Sequence, residues 1–218
     1  MSRTRTVTYL FDPLCGWCYG ASPAIATLSD VEDLVLELLP TGLFSGAGAR
    51  PLDDGFAAHA WAYDQRIHAL TGQVFSERYR TDVLGDRSQR IDSGPATLAL
   101  TAVALTAPDR EFAALAAIQS ARYADGLDIT AAATLTDILT GLGLDAAASL
   151  FAEGAAEGMG ELTVADAARV ERGRQLMAAY RASGVPTLLF DDGSHRRKLD
   201  SEILFSKPGR LAAILSAG

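Results

Sequence analysis

The chain has 218 residues, 49% hydrophobic and 21% charged, with a net charge of −8 at neutral pH. That balance supplies a core and excludes a disordered chain. The acidity disfavours nucleic-acid phosphates and anionic membrane surfaces as partners. No apolar run approaches the roughly 18 residues of a membrane span. The basic start, Arg3 to Arg5, passes straight into a strand-like segment without the apolar stretch of a signal peptide. The expected location is the cytoplasm, or the periplasm if a leader has been removed.

Residues 5–11, β-branched and aromatic, predict a short buried strand ended by Asp12-Pro13. A helix is expected from Cys15 to about Leu28, with Pro23 kinking it or opening a new first turn. The apolar run Leu34 to Leu39, closed by Pro40 and Gly42, predicts a second strand. The glycine-rich stretch 42–51 can only be a loop. From about Asp53 to Ser183 the text is rich in alanine and leucine at helical spacing and predicts five to seven helices. Ser93-Gly94-Pro95 reads as a helix start with a capping serine. Pro108-Asp109, Thr130, Gly141-Leu142-Gly143 and Gly158-Met159-Gly160 read as breaks. Strand signals return at Val185 to Phe190, with Asp191 to Ser194 a turn and Arg196 to Leu199 a hairpin partner. Lys207-Pro208-Gly209 opens a short C-terminal helix, 210–215. The order is β-α-β, helical block, β-β-α, an α/β class. It divides the chain into a discontinuous domain, 1–52 with 184–218, and a helical insertion domain, 53–183.

The chain has two cysteines, in Cys15-Gly16-Trp17-Cys18 at the predicted strand–helix junction. This spacing sets the first sulfur at a helix N-terminus, where unpaired N–H groups and the helix dipole stabilise a thiolate. Cys15 can then attack a disulfide and Cys18 can resolve the mixed disulfide by attacking Cys15. A zinc site needs four ligands, and the scattered His59, His68 and His195 do not complete one; no metal is expected. A chance pair of buried cysteines is the plain alternative.

Phe11-Asp12-Pro13-Leu14-Cys15-Gly16-Trp17-Cys18-Tyr19-Gly20, with Gly184-Val185-Pro186-Thr187, resembles the DsbA-like branch of the thioredoxin superfamily. More narrowly it is similar to the FrnE-type and 2-hydroxychromene-2-carboxylate isomerase-like group. The resemblance covers the whole order of the chain and implies a thioredoxin-like fold carrying a large all-helical insertion. It also implies a cis peptide bond at Pro186, opposite the cysteines, with Val185 offering its backbone to an extended substrate. A proline that merely starts an edge strand is the alternative.

Two departures matter. The dipeptide Gly16-Trp17 lacks the histidine of the strongest oxidants, so a less oxidising poise is expected. Tyr9 stands at the spacing where relatives carry a buried acid, leaving Asp12 and Glu37 as candidate proton shuttles for Cys18. Gly16 and Trp17 would position substrate. Trp17 and Tyr19 are candidates for the floor of a groove rimmed by Phe44, with ordinary packing against the insertion the alternative.

The expected activity is a thiol–disulfide oxidoreductase or isomerase acting on a disulfide-containing protein or a small thiol substrate. No cofactor is expected beyond the cysteine pair, with glutathione a candidate reductant or co-substrate. A glutathione-dependent isomerase or transferase of the same fold is a second reading, and a non-catalytic binding or chaperone module a third. The oligomeric state stays open, a homodimer included.

Overall fold

The computed structural model describes residues 4–157, 160–207 and 209–216. Strand β1 (Arg5–Phe11) leads into helix α1 (Gly16–Ala26), a 3₁₀ turn and strand β2 (Leu34–Pro40). A two-residue strand β3 (Arg50–Pro51) precedes helix α2 (Asp54–Thr71), and its partner β4 (Arg90–Ile91) precedes α3 (Gly94–Thr106). Helices α4 (Glu111–Tyr123), α5 (Ala132–Gly141), α6 (Asp145–Glu157) and α7 (Glu161–Ala179) follow. The chain then closes with strands β5 (Thr187–Asp191) and β6 (Arg196–Lys198) and helix α8 (Arg210–Ser216). The predicted breaks at Gly158 and Met159, and Pro208 of the predicted helix start, lie outside the described residues.

One mixed sheet runs in the order β2-β1-β5-β6. β1 pairs parallel with β2, in register Val7 to Leu36, and antiparallel with β5, in register Leu10 to Thr187. A parallel neighbour needs a crossover, and α1 supplies it. The central strand is buried from Val7 to Phe11 because both faces are covered. This is a thioredoxin-like α/β fold carrying a large helical insertion between β2 and β5.

Helix limits follow from local chemistry. Asp53 caps α2 by accepting from Phe56 N–H at 2.7 Å, and Gly72, at φ 76°, ends it. Pro23 neither ends α1 nor opens a new one; the helix runs through it. Proline leaves the carbonyl four residues earlier without its helical donor. Here that carbonyl, of Tyr19, accepts instead from Gln73 Nε2 at 2.9 Å. Ser93 stands at the start of α3 as expected, yet its hydroxyl does not cap the helix. It is diverted to Asp12, which places one end of α3 beneath the cysteine loop. The strand expected from Val185 begins pairing at Thr187.

Candidate active site

Asp12-Pro13-Leu14 carries the chain from β1 to α1, and both ends of this turn are held. Cys15 N–H donates to the Asp12 carbonyl at 3.1 Å. The Asp12 carboxylate accepts from Leu14 N–H (2.9 Å), Phe44 N–H (3.1 Å) and the Ser93 hydroxyl (2.8 Å). Tyr123, from α4, donates to the Leu14 carbonyl at 2.7 Å. Cys15 therefore enters α1 from a turn pinned by three parts of the fold, with extended backbone at the N-cap position.

The two cysteines lie 3.5 Å apart. Cys15 is 7% exposed and Cys18 fully buried. The Cys15 thiol donates to the Val185 carbonyl at 3.6 Å, and the Val185–Pro186 peptide bond is cis. Residues 170 positions apart thus meet across the site. Below the pair, the Tyr9 hydroxyl donates to the Cys18 carbonyl at 3.2 Å. Burial pushes the Cys18 thiol well above its ordinary range, and the neighbouring Cys15 adds to the effect. Burial also raises the Asp12 carboxyl, against the downward pull of its Phe44, Leu14 and Ser93 donors. Asp12 acts electrostatically on Cys18, its backbone N–H lowering the thiol and its carboxylate raising it.

Of the two candidate shuttle acids, Asp12 is thus at the cysteines. Glu37 is engaged elsewhere: it accepts from Thr8 Oγ1 at 2.8 Å and pairs with Arg172 at 2.7 Å. Trp17 is partly buried, edge-on to Phe205 at 5.0 Å and to Tyr63 at 6.5 Å. Tyr19 packs into the insertion, stacked on Tyr123 at 4.9 Å. Phe44 borders a cavity beside Cys15.

Two clefts flank Val185. One, of about 250 Å³, runs past Trp17, Pro186, Lys198 and Phe205. The other, of about 450 Å³, is bounded by Thr41, Gly42 and Arg174. Either can take an extended segment beside the Val185 backbone.

Sequence reasoning missed Asp64, Tyr79, Arg122 and Tyr123, all supplied by the insertion. Asp64 of α2 is 4% exposed and accepts from the Tyr79 hydroxyl at 3.0 Å. Burial pushes its carboxyl up to about 7, against the pull of Tyr79 and Arg122. A folded-state value above the unfolded one, about 3.9, means that the unfolded state sheds the proton first. Stability from this group is therefore lost as pH rises from about 4 to about 7. The thermal midpoint of Asp64→Asn, measured across that range, is expected to fall less than that of the parent protein.

Among the described residues, no group of three His, Cys, Asp or Glu side chains could hold a metal, and no helix is long and apolar enough to cross a membrane. A thioredoxin-like sheet with a close dithiol at the start of its first helix defines a thiol–disulfide oxidoreductase. The comparisons agree. The chain is similar to the cytosolic disulfide reductase DsbM from Pseudomonas aeruginosa, at 32% identity and TM-score 0.85 over 97% of each chain. A structure of that protein with GSH gives TM-score 0.84 and 32% identity over 97% of this chain and 98% of that one. Oxidoreductase DsbA from Xylella fastidiosa shares the fold, at TM-score 0.55 and 14% identity over 100% of this chain and 89% of that one. No family model and no curated protein matches. The chain belongs to the DsbA-like family of thiol–disulfide oxidoreductases.

Proposed function

We propose that this protein reduces disulfides in a reducing compartment, with Cys15 as attacking thiolate and Cys18 as resolving thiol. The observation that carries this reading is the asymmetry of the pair: Cys15 keeps 7% of its surface exposed at the start of α1, whereas Cys18, 3.5 Å away, keeps none. Cys15 occupies the N-cap position of α1, at the positive end of the helix dipole. Attack forms a Cys15–substrate disulfide and releases one substrate thiolate. Cys18 then attacks the Cys15 sulfur, closing the Cys15–Cys18 disulfide and releasing the second thiol. Asp12 takes the proton of the buried Cys18 as that step begins and passes it to solvent. Val185 and Pro186 align the substrate, and Gly16 and Trp17 shape its entry. In this reading 1–52 with 184–218 form the catalytic unit, and 53–183 the cover that selects substrates.

Glutathione is the proposed recharging thiol, a reading supported by the similarity to a reductase solved with GSH. The cytosolic description of that reductase supports the compartment.

The test is equilibration with glutathione redox buffers. A reversible two-electron couple is expected, nearer the roughly −270 mV of thioredoxin than the roughly −120 mV of DsbA, because Gly16-Trp17 brings no histidine. Cys18→Ser should trap a glutathione mixed disulfide on Cys15, and Cys15→Ser should trap none. A pair that does not cycle would sink the reading.

A further inference from the structure

A cavity of about 210 Å³ lies between the cysteine loop and the insertion. Cys15 at the N-cap of α1, Gly16 and Trp17 of α1, Phe56 and Ile67 of α2, and Ile91 of β4 line it. Its surface is mostly apolar and aromatic, with one full cation. Arg122, on α4, lines it while only 4% exposed. The guanidinium lies 5.5 Å from the Tyr79 ring centre and 5.7 Å from that of Tyr123. Its Nε has no hydrogen-bond partner, while the guanidinium otherwise interacts with the Tyr79 hydroxyl. No carboxylate among the described residues pairs with it within 4.0 Å. The nearby acid is Asp64, already bonded to Tyr79, and burial leaves it only partly ionised near neutrality.

A buried, unpaired guanidinium donor is costly, and a planar carboxylate answers it best. The aromatic lining suits a ring or a short apolar chain. The volume falls below the roughly 300–1,000 Å³ of pockets for drug-sized ligands, so it suits one such group and not a peptide.

We infer that this cavity receives the acid-bearing half of a low-molecular-weight disulfide, Arg122 binding its carboxylate while Cys15 meets its sulfur. This rests on the reading of Cys15 as the attacking thiolate. For a substrate R–S–S–R, Cys15 forms Cys15–S–S–R as the R–S–S–R bond breaks and one RS⁻ leaves. Cys18 closes the Cys15–Cys18 bond and expels the second RS⁻; both take protons from solvent and from the cysteines. The substrate gains two electrons. Two glutathione thiols then re-reduce the protein and leave as glutathione disulfide.

The first test needs no chemistry at sulfur. Calorimetry should show benzoate binding the wild-type protein and Cys15→Ser at least about tenfold more tightly than benzamide, its neutral isostere. Equal affinities, or no binding of benzoate, overturn the inference whether or not Cys15 cycles. The second test compares exchange with dithiodibenzoate and with dithiodibenzamide. Arg122→Met should lower the acid-to-amide ratio of kcat/KM at least about tenfold, and Arg122→Lys should restore part of it. A ratio that stays within about twofold overturns the inference. Should Arg122→Met not fold, the wild-type calorimetry decides alone. Benzoate discrimination without redox cycling would keep the site and discard only the reaction.

Discussion

Arg169→Ala is expected to lower the unfolding free energy by about 3–5 kcal/mol, the cost of stranding one partner of a buried ion pair. Arg169 projects from α7 into the junction of three elements. It binds Glu111 of α4, donates to Thr101 Oγ1 of α3 at 2.9 Å and to the Leu38 carbonyl of β2 at 3.0 Å. Thr101 in turn donates to Asp166 Oδ1 at 2.6 Å. Glu111 is 6% exposed, and burial raises its carboxyl to about 7 even though Arg169 pulls it down. Without Arg169 the pull disappears, and the group is protonated instead of remaining a lone buried anion. The parent's Glu111 is itself largely protonated below about pH 7, so the extra loss of the variant is smallest there and grows as pH rises above about 7. Urea unfolding followed by circular dichroism at about pH 6 and about pH 9 measures it. Arg169→Met combined with Glu111→Leu should recover most of the stability, because the desolvation penalty leaves with both charges. A loss below about 1 kcal/mol at both pH values would place the pair with ordinary surface ion pairs.

Adding a single methyl to the first helix is expected to be disruptive as well, on a smaller scale. Gly16 and Gly20 stand four apart and face α2. A Cβ on Gly16 would sit 2.4 Å from Asp64 Oδ1, and one on Gly20 would sit 2.5 Å from Ile67 Cγ2. Alanine ordinarily stabilises a helix interior relative to glycine by about 0.5–1 kcal/mol. Here overpacking reverses the sign, at about 1–3 kcal/mol for each substitution. Ile67 is fully buried and has little room to turn away. The two changes should not add, since both press on the same stretch of α2. Gly20→Ala should lose stability and regain part of it with Ile67→Val. Gly16→Ala should in addition slow thiol exchange, because it displaces Asp64 from Tyr79 next to Cys15. Denaturant unfolding and exchange rates on the same variants separate the effects. Neutral or stabilising alanines would mean that α1 and α2 pack less closely than described. The glycine of the cysteine loop is then a packing requirement as much as a loop residue.

What the sequence disclosed was local in origin. β1, β2 and the helix after Cys15 were legible because strand and helix patterning, prolines and glycines mark them within a few residues. The thioredoxin-like class followed from the order of those pieces and from the two motifs. Pairings made only by packing escaped. Ser93 has the composition of a cap, and nothing near it in sequence announces Asp12, 81 residues away. Glu37, in an apolar strand run, and Asp12 were both candidates as letters; the register of β1 with β2 sets Glu37 opposite Thr8, whereas Asp12 sits in the turn before Cys15. One missed residue did leave a trace. Leu115, Ile118, Gln119 and Arg122 follow the helical i, i+3, i+4, i+7 pattern, and all four are buried. A charge on that stripe marks an arginine turned inward.

The outer margins of the sheet bear on how copies of this protein behave toward one another. An open strand edge invites a second strand to add to it. Along β2 the outward carbonyl of Leu38 is already occupied by Arg169; just beyond, Arg174 takes the carbonyls of Thr41 and Gly42. Pro40 contributes no N–H at all. The opposite margin, β6, is three residues long and reads Arg196-Arg197-Lys198. Two such strands brought side by side would stack cation on cation in a molecule that is otherwise acidic. One margin is closed by guanidinium groups and the other guarded by charge. Edge-to-edge addition of a second copy is thereby disfavoured at both margins.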